Sequence, residues 1–205
     1  MKKKTIDLYE VSDLKLPGNE KLLQEVLSKH REYFVTDDWY ESTKNELFDY
    51  LDLIGFENID IRFSGFSNQG DGARFTGELD RDYLEKYLRV GYESKLLKAC
   101  DTFYQRLLDV PKGFNVYIKK IQSAPYCYYA HEYTTEINIE DEYGDYVEDE
   151  SLIHCLKEDY RNLCKTYYRQ LEEDYFTLTS DEYILEMFEE ENAVFTESGD
   201  LTYLD

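Results

Sequence analysis

Apolar and polar residues alternate at period two along Ile59, Ile61 and Phe63 against Asp60, Arg62 and Ser64. They do so again along Ala73, Phe75 and Gly77 against Arg74 and Thr76. Such alternation marks a half-buried strand. Between the two runs, Asn68-Gln69-Gly70-Asp71-Gly72 supplies residue types that tolerate positive φ. Residues 63–77, F-S-G-F-S-N-Q-G-D-G-A-R-F-T-G, therefore predict a strand, a shaped loop and a second strand, with Gly70 and Gly72 expected at positive φ.

The same reading extends along the chain. Ile6 and Leu8 alternate with polar neighbours and predict a first strand over 4–10, broken at Pro17-Gly18. Leu22, Leu23, Val26, Leu27 and Phe34 recur at helical spacing, so a helix over 20–34 is expected, capped by Asn19. Trp39, Tyr40, Thr43, Leu47, Tyr50, Leu51 and Ile54 form a second stripe. It follows the acidic pair Asp37-Asp38 and is closed by Gly55. A third helix is expected after Asp80, with Tyr83, Leu84, Tyr87 and Leu88 on one face, then an interruption at Gly91 and a helix over 96–108.

Residues 114–121 read as a strand, with Val116 and Ile118 on one side. Tyr133, Thr135, Ile137 and Ile139 predict a strand within 126–139, antiparallel to its neighbour across Ser123-Ala124-Pro125. Residues 140–150 read as an exposed acidic loop. Leu152, Leu156, Tyr160, Leu163, Tyr167, Leu171 and Tyr175 then make the clearest helical stripe of the chain. Thr179 or Ser180 is expected to cap a helix over 181–191, with Glu182 as the capping-box partner of Thr179. Val194, Phe195 and Leu201 point to a last small hairpin. The pattern as a whole predicts one α+β domain over 1–205: a small, mainly antiparallel sheet with several helices, the long ones C-terminal.

Charge changes this picture. Residues 1–131 hold 22 acidic and 19 basic residues, and residues 132–205 hold 23 acidic and only 4 basic. Most of the net charge of -22 thus lies in the last third. Such a field repels nucleic acid and anionic membrane and attracts basic surfaces. The hydrophobic share of 42%, with 21 Tyr and 11 Phe, still provides for a folded core. Cys100, Cys127, Cys155 and Cys164 have no metal or redox spacing. With no apolar leader after Met1 and no run of membrane-spanning length, a reduced cytoplasmic protein is expected.

Candidate chemistry is sparse. The glycine-rich stretch has neither the Walker spacing nor a G-x-G-x-x-G that opens a helix, and it lacks the ligand pattern of a calcium loop. Its bland reading is a bulged hairpin whose glycines admit a neighbouring segment. Its functional reading makes Asn68, Gln69, Asp71 and Arg74 possible ligand contacts. The histidines are His30, His131 and His154. On a strand, His131 and Glu132 point to opposite faces and make a poor acid/base pair. Cys127 and His131 would share a face, though a buried structural cysteine is the commoner case. No catalytic residue, metal ligand or cofactor is assigned. The acids differ in kind. Glu140, Asp141, Glu142, Asp145, Glu148, Asp149 and Glu150 crowd one loop, and Glu186, Glu189, Glu190 and Glu191 run along a helix to its C-terminus, where negative charge opposes the dipole. Spaced carboxylates can present charge as a phosphate backbone does, so these eleven residues are the candidate partner-binding set.

Several segments carry a resemblance: T-I-D-L-Y-E-V-S-D-L at 5–14, D-D-W-Y-E at 37–41, the whole of 63–77, and Y-A-H-E-Y at 129–133. So do Y-R-Q-L-E-E-D-Y-F-T-L-T-S-D-E at 168–182 and F-T-E-S-G-D-L at 195–201. The chain resembles a family of small acidic proteins encoded by bacteriophages and prophages, some labelled as the antitoxin of a toxin–antitoxin stability system. It departs from that pattern at Leu16-Pro17-Gly18. The resemblance implies no catalytic residues. It implies a protein of the bacterial cytoplasm that binds a host protein or nucleoprotein; the acidic field makes that partner a basic one and disfavours nucleic acid and membrane as direct partners. The leading expectation is an inhibitor of a defence complex, of anti-CRISPR or anti-restriction type, seated on a basic nucleic-acid-binding surface. The alternatives are an antitoxin for a basic toxin, and a small-ligand binder or enzyme built on 63–77.

Overall fold

A computed structural model of the protein describes residues 7–86, 94–121 and 130–202. Expectations for residues 4–6, for Tyr87, Leu88 and Gly91, for Ser123-Ala124-Pro125, and for Tyr126 to Tyr129 with Cys127 lie outside them. The chain is α+β, as the periodicities require, and falls into two compact units: 1–39 with 173–205, and 40–172.

The larger unit is built on four strands, β2 (Phe56–Phe63), β3 (Ala73–Asp80), β4 (Phe114–Lys120) and β5 (Thr135–Asp141). They lie side by side in chain order, every pair antiparallel. The register sets Ile61 opposite Phe75, Leu79 opposite Val116, and Ile118 opposite Ile137. The period-two pattern therefore sends one set of side chains to a common inner face, and all six are buried. Three helices bury apolar stripes in the same core: α3 (Glu41–Leu53) with Leu47, Tyr50 and Leu51, α4 (Lys95–Leu107) with Phe103 and Leu107, and α5 (Glu150–Leu178) with Leu156, Tyr160, Leu163 and Tyr167. Phe75 is central, its ring 4.9 Å from Tyr160 and 6.0 Å from Phe103. Burying such a ring stabilises the fold by roughly 2–3 kcal/mol. The Tyr160 hydroxyl stays satisfied there, donating to the Phe75 carbonyl at 2.9 Å and accepting from Thr135 Oγ1 at 3.0 Å.

The smaller unit has a three-stranded sheet from β1 (Leu8–Glu10), β6 (Val194–Thr196) and β7 (Leu201–Thr202), with β6 central. The expected terminal hairpin is thus present and pairs with the first strand. Val11 and Leu14 of α1 (Val11–Leu14), Val26 and Leu27 of α2 (Glu20–His30), and Ile184 and Phe188 of α6 (Asp181–Glu190) close one core with Phe195. Asn192, at φ 53, ends α6: Ala193 N–H returns to Phe188 O and Asn192 N–H to Glu189 O.

Local expectations are corrected at the element ends. Asn19 does not cap α2; its amide donates to the Asp13 carbonyl, and α2 stops at His30 rather than at 34. Trp39 and Tyr40 precede α3 instead of joining its stripe. Asp80 caps a 3-10 turn, Arg81–Lys86, through the Asp82 N–H at 2.9 Å. Of the two expected caps for α6 it is Ser180 that serves, accepting from Tyr183 N–H. Tyr133 falls in a 3-10 turn, Glu132–Thr134, ahead of β5.

Candidate functional site

The loop between β2 and β3 is built by one carboxylate. Asp71 Oδ2 accepts from Ser67 N–H at 3.0 Å and Asn68 N–H at 2.7 Å, and Asp71 N–H returns to the Asn68 carbonyl at 3.1 Å. Gly70 sits at φ +99, as expected. Gly72 does not adopt positive φ, which corrects the expectation. Its need for glycine is steric: a Cβ there would stand 2.9 Å from His131 Cδ2 and 3.3 Å from the Ala130 carbonyl. Tyr168 of α5 donates to the Gly65 carbonyl at 2.7 Å. Asp71 is therefore occupied in holding the loop, while Asn68 and Gln69 lie exposed at its tip. This arrangement matches the bulged-hairpin reading, in which glycine admits a neighbouring segment.

That neighbouring segment carries His131 and Glu132. Their expected placement on opposite strand faces is overturned, because a 3-10 turn replaces the strand and brings them together. His131 Nδ1 stands 3.1 Å from Glu132 Oε2 and 3.2 Å from Tyr133 N. A neutral Nδ1 accepts from the Tyr133 N–H; a protonated one donates to the carboxylate. Glu132 is buried, and Lys165 Nζ lies 3.6 Å from its other oxygen. Arg161, one helical turn earlier on α5, lays its guanidinium 4.6 Å over the Tyr133 ring. Nothing local in the sequence marks Lys165 and Arg161 beyond their i, i+4 spacing on one helix face. Cys164 beside them is fully buried, and burial pushes its thiol up to about 12, so it is no thiolate nucleophile at neutral pH. The set braces the entrance to β5. His30 is likewise occupied, its Nε2–H donating to the Gly199 carbonyl at 3.0 Å, and His154 is exposed on α5.

The eleven acidic candidates divide. Asp141 Oδ1 accepts from Tyr143 N–H and Asp145 N–H, shaping the turn after β5. Asp149 Oδ1 caps α5 through the Leu152 N–H at 3.0 Å. Glu140 is bridged to Tyr146. Glu142, Asp145, Glu148 and Glu150 are exposed and form no ion pair among the described residues. Between them stand Tyr143, 82% exposed, and Tyr146, 63% exposed. Tyr143 donates to Glu142, which pushes its hydroxyl above the ordinary tyrosine range. In the smaller unit, Glu186, Glu189, Glu190 and Glu191 are all exposed, and Glu189 pairs with Lys15. That pair relieves part of the expected conflict between acid and the α6 C-terminus.

Arg74, the last of the four possible ligand contacts, lies on β3, as the alternation predicts. It is 7% exposed, directly opposite Arg62 of β2 in register. Its Nε has no hydrogen-bond partner, and it lines a cleft of about 390 Å³ on the outer face of the sheet. No curated protein and no solved structure matches the chain. The model of one family, described as Domain of unknown function (DUF8835), matches residues 39–181. That span takes in all four strands of the larger sheet, the 63–77 loop and the 140–150 turn, and the chain belongs to this family.

Proposed function

We propose that the protein acts by binding a basic partner through the turn between β5 and α5. One observation supports this reading: Tyr143 and Tyr146 stand out of the surface among Glu142, Asp145, Glu148 and Glu150, whose charges are not neutralised locally. Tyrosine anchors with a charged rim are the composition of a contact surface. The carboxylates speed encounter with Lys and Arg, and the rings supply buried area once contact is made. With the phage resemblance, the partner of choice is a bacterial defence complex of CRISPR or restriction type. The acidic turn would occupy its nucleic-acid channel.

The test is affinity capture from a bacterial lysate at low salt, followed by binding measurements on the captured protein. The expected partner is a nucleic-acid-binding complex whose DNA or RNA competes with this chain. Affinity should fall steeply as salt rises and shortens the screening length, which is about 8–10 Å near physiological ionic strength. Glu142→Lys with Glu148→Lys should slow association, and Tyr143→Ala should speed dissociation. Binding that survives high salt and charge reversal would overturn the electrostatic reading. A small basic toxin in the captured fraction would replace the defence complex by an antitoxin's target.

A further inference from the structure

On the outer face of the larger sheet, the register places Arg62 and Arg74 directly opposite each other. Like charges at such a pair destabilise an antiparallel ladder. One of the two is also taken out of water: Arg74 is 93% buried, whereas Arg62 is held at the surface by Asp60, to which its Nε donates at 2.8 Å. A buried guanidinium normally finds acceptors for its donors. Arg74 finds none for Nε, and no hydrogen bond or ion pair joins it to any described residue. No described residue accounts for a charge at this position.

The cleft that Arg74 lines is also bordered by Arg62, Lys119, Lys120, Asp60 and Glu78. The lining itself sets four cations against two carboxylates, a net of +2 in a protein whose net charge is -22, with Glu136 outside it, opposite Lys119 on β5. Lys119 Nζ is held 4.2 Å over the Tyr117 ring, which fixes a second cation on the same side of β4. Thr76, next along the outer face of β3, adds a hydroxyl.

We propose that this cleft binds a small phosphorylated molecule, its phosphoryl group seated on the Arg74 guanidinium between Arg62 and Lys119. A phosphate monoester carries a charge of about -2 near neutrality, which matches the lining. Arginine's fork matches phosphate oxygens in pairs and satisfies a buried guanidinium that has no internal acceptor. The volume suits a small molecule. A nucleic-acid strand is disfavoured because it would have to cross the negative field of the whole protein, while a small dianion needs only the local potential of the cleft. The site is independent of the acidic turn, so either reading can fail without the other.

The experiment is isothermal titration of the full chain with glycerol 3-phosphate and with inorganic phosphate, in phosphate-free buffer at low salt. Glycerol and succinate serve as neutral and dicarboxylate controls. Both phosphates should bind, and both controls should bind at least about tenfold more weakly. Arg62→Ala and Lys119→Ala, both at exposed positions, should each weaken phosphate binding about fivefold or more, and Arg74→Gln should abolish it. Should Arg74→Gln fail to fold, the two surface variants still decide. The proposal is overturned if neither phosphate binds, if succinate binds as well as glycerol 3-phosphate, or if Arg62→Ala and Lys119→Ala leave binding unchanged.

Discussion

The two ends of β3 each bury an arginine, and the two are buried for different reasons. Arg81, just past the C-terminal end, is 6% exposed; Arg74, near the start, is 7% exposed. Arg81 Nε donates to the Val110 carbonyl at 2.9 Å and its Nη2 to the Leu108 carbonyl at 2.8 Å. Leu108 is the C-cap of α4, so the guanidinium brings positive charge to a helix C-terminus and satisfies carbonyls the helix leaves open. Arg74 has the same burial, no acceptor for its Nε and no hydrogen bond to any described residue, whereas Arg81 leaves only its Nη1 without a partner. Burial alone does not separate a structural arginine from one that awaits a ligand. Following each donor to its acceptor does.

Substitution at the better satisfied end should have the largest effect. Arg81→Met strands two carbonyls at the end of α4 and should cost about 3 kcal/mol in urea unfolding. A loss below about 1 kcal/mol would mean that water replaces the guanidinium freely, and the contrast between the two ends would weaken.

Gly72→Val should come next, at about 2 kcal/mol, because its branched side chain meets the His131 ring and the Ala130 carbonyl. Combining it with His131→Ala should recover part of the loss. Full destabilisation in the double variant would place the strain on the backbone carbonyl instead. Either way the loop end of β3 would prove rigid, which a preformed cleft at Arg74 requires.

Arg74→Met should change stability by no more than about 1 kcal/mol in phosphate-free buffer, in either direction, since an unpaired buried charge is replaced by an apolar chain. A loss equal to that of Arg81→Met would erase the difference between the two ends.

The smallest effect should come from an exposed pair in the other unit. The Ser198 hydroxyl and the Lys29 ammonium hold the Asp200 carboxyl below its ordinary value of 3.8. Its contribution is present above that value and lost as pH falls through the depressed folded one. Asp200→Asn should therefore be nearly neutral at pH 7 and slightly reduce the acid sensitivity of melting. A large shift at neutral pH would show that exposed ion pairs in this chain carry more than their usual small share.

Much of the fold was legible in the sequence because burial has a period. The alternation of Ile61, Phe75, Val116, Ile118 and Ile137 identified four strands, and the Leu156 to Leu171 stripe identified α5, since a side chain's face follows from its position alone. Gly55 and Gly70 were legible as positive-φ positions, because a turn of that hand disfavours a Cβ. Element ends were less legible. Asn19 is a good cap by type, but its side chain is turned to donate Nδ2–H to the Asp13 carbonyl instead of offering its oxygen to the helix N–H groups, a choice made by geometry six residues away. The local pattern places His131 and Glu132 on a strand; one 3-10 turn puts them on the same side, with Glu132 beside Lys165, 33 residues further on.

The candidate site divides along the same line. Sequence alone determined the α+β class, the acidic last third and the glycine loop, because composition and short periodicities are local properties. Which acids are occupied in turns and caps, why Gly72 must lack a side chain, and that Arg74 is buried opposite Arg62 without an acceptor were decided only by the tertiary structure. Strand register and donor–acceptor pairing join residues distant in sequence, and no local pattern encodes them.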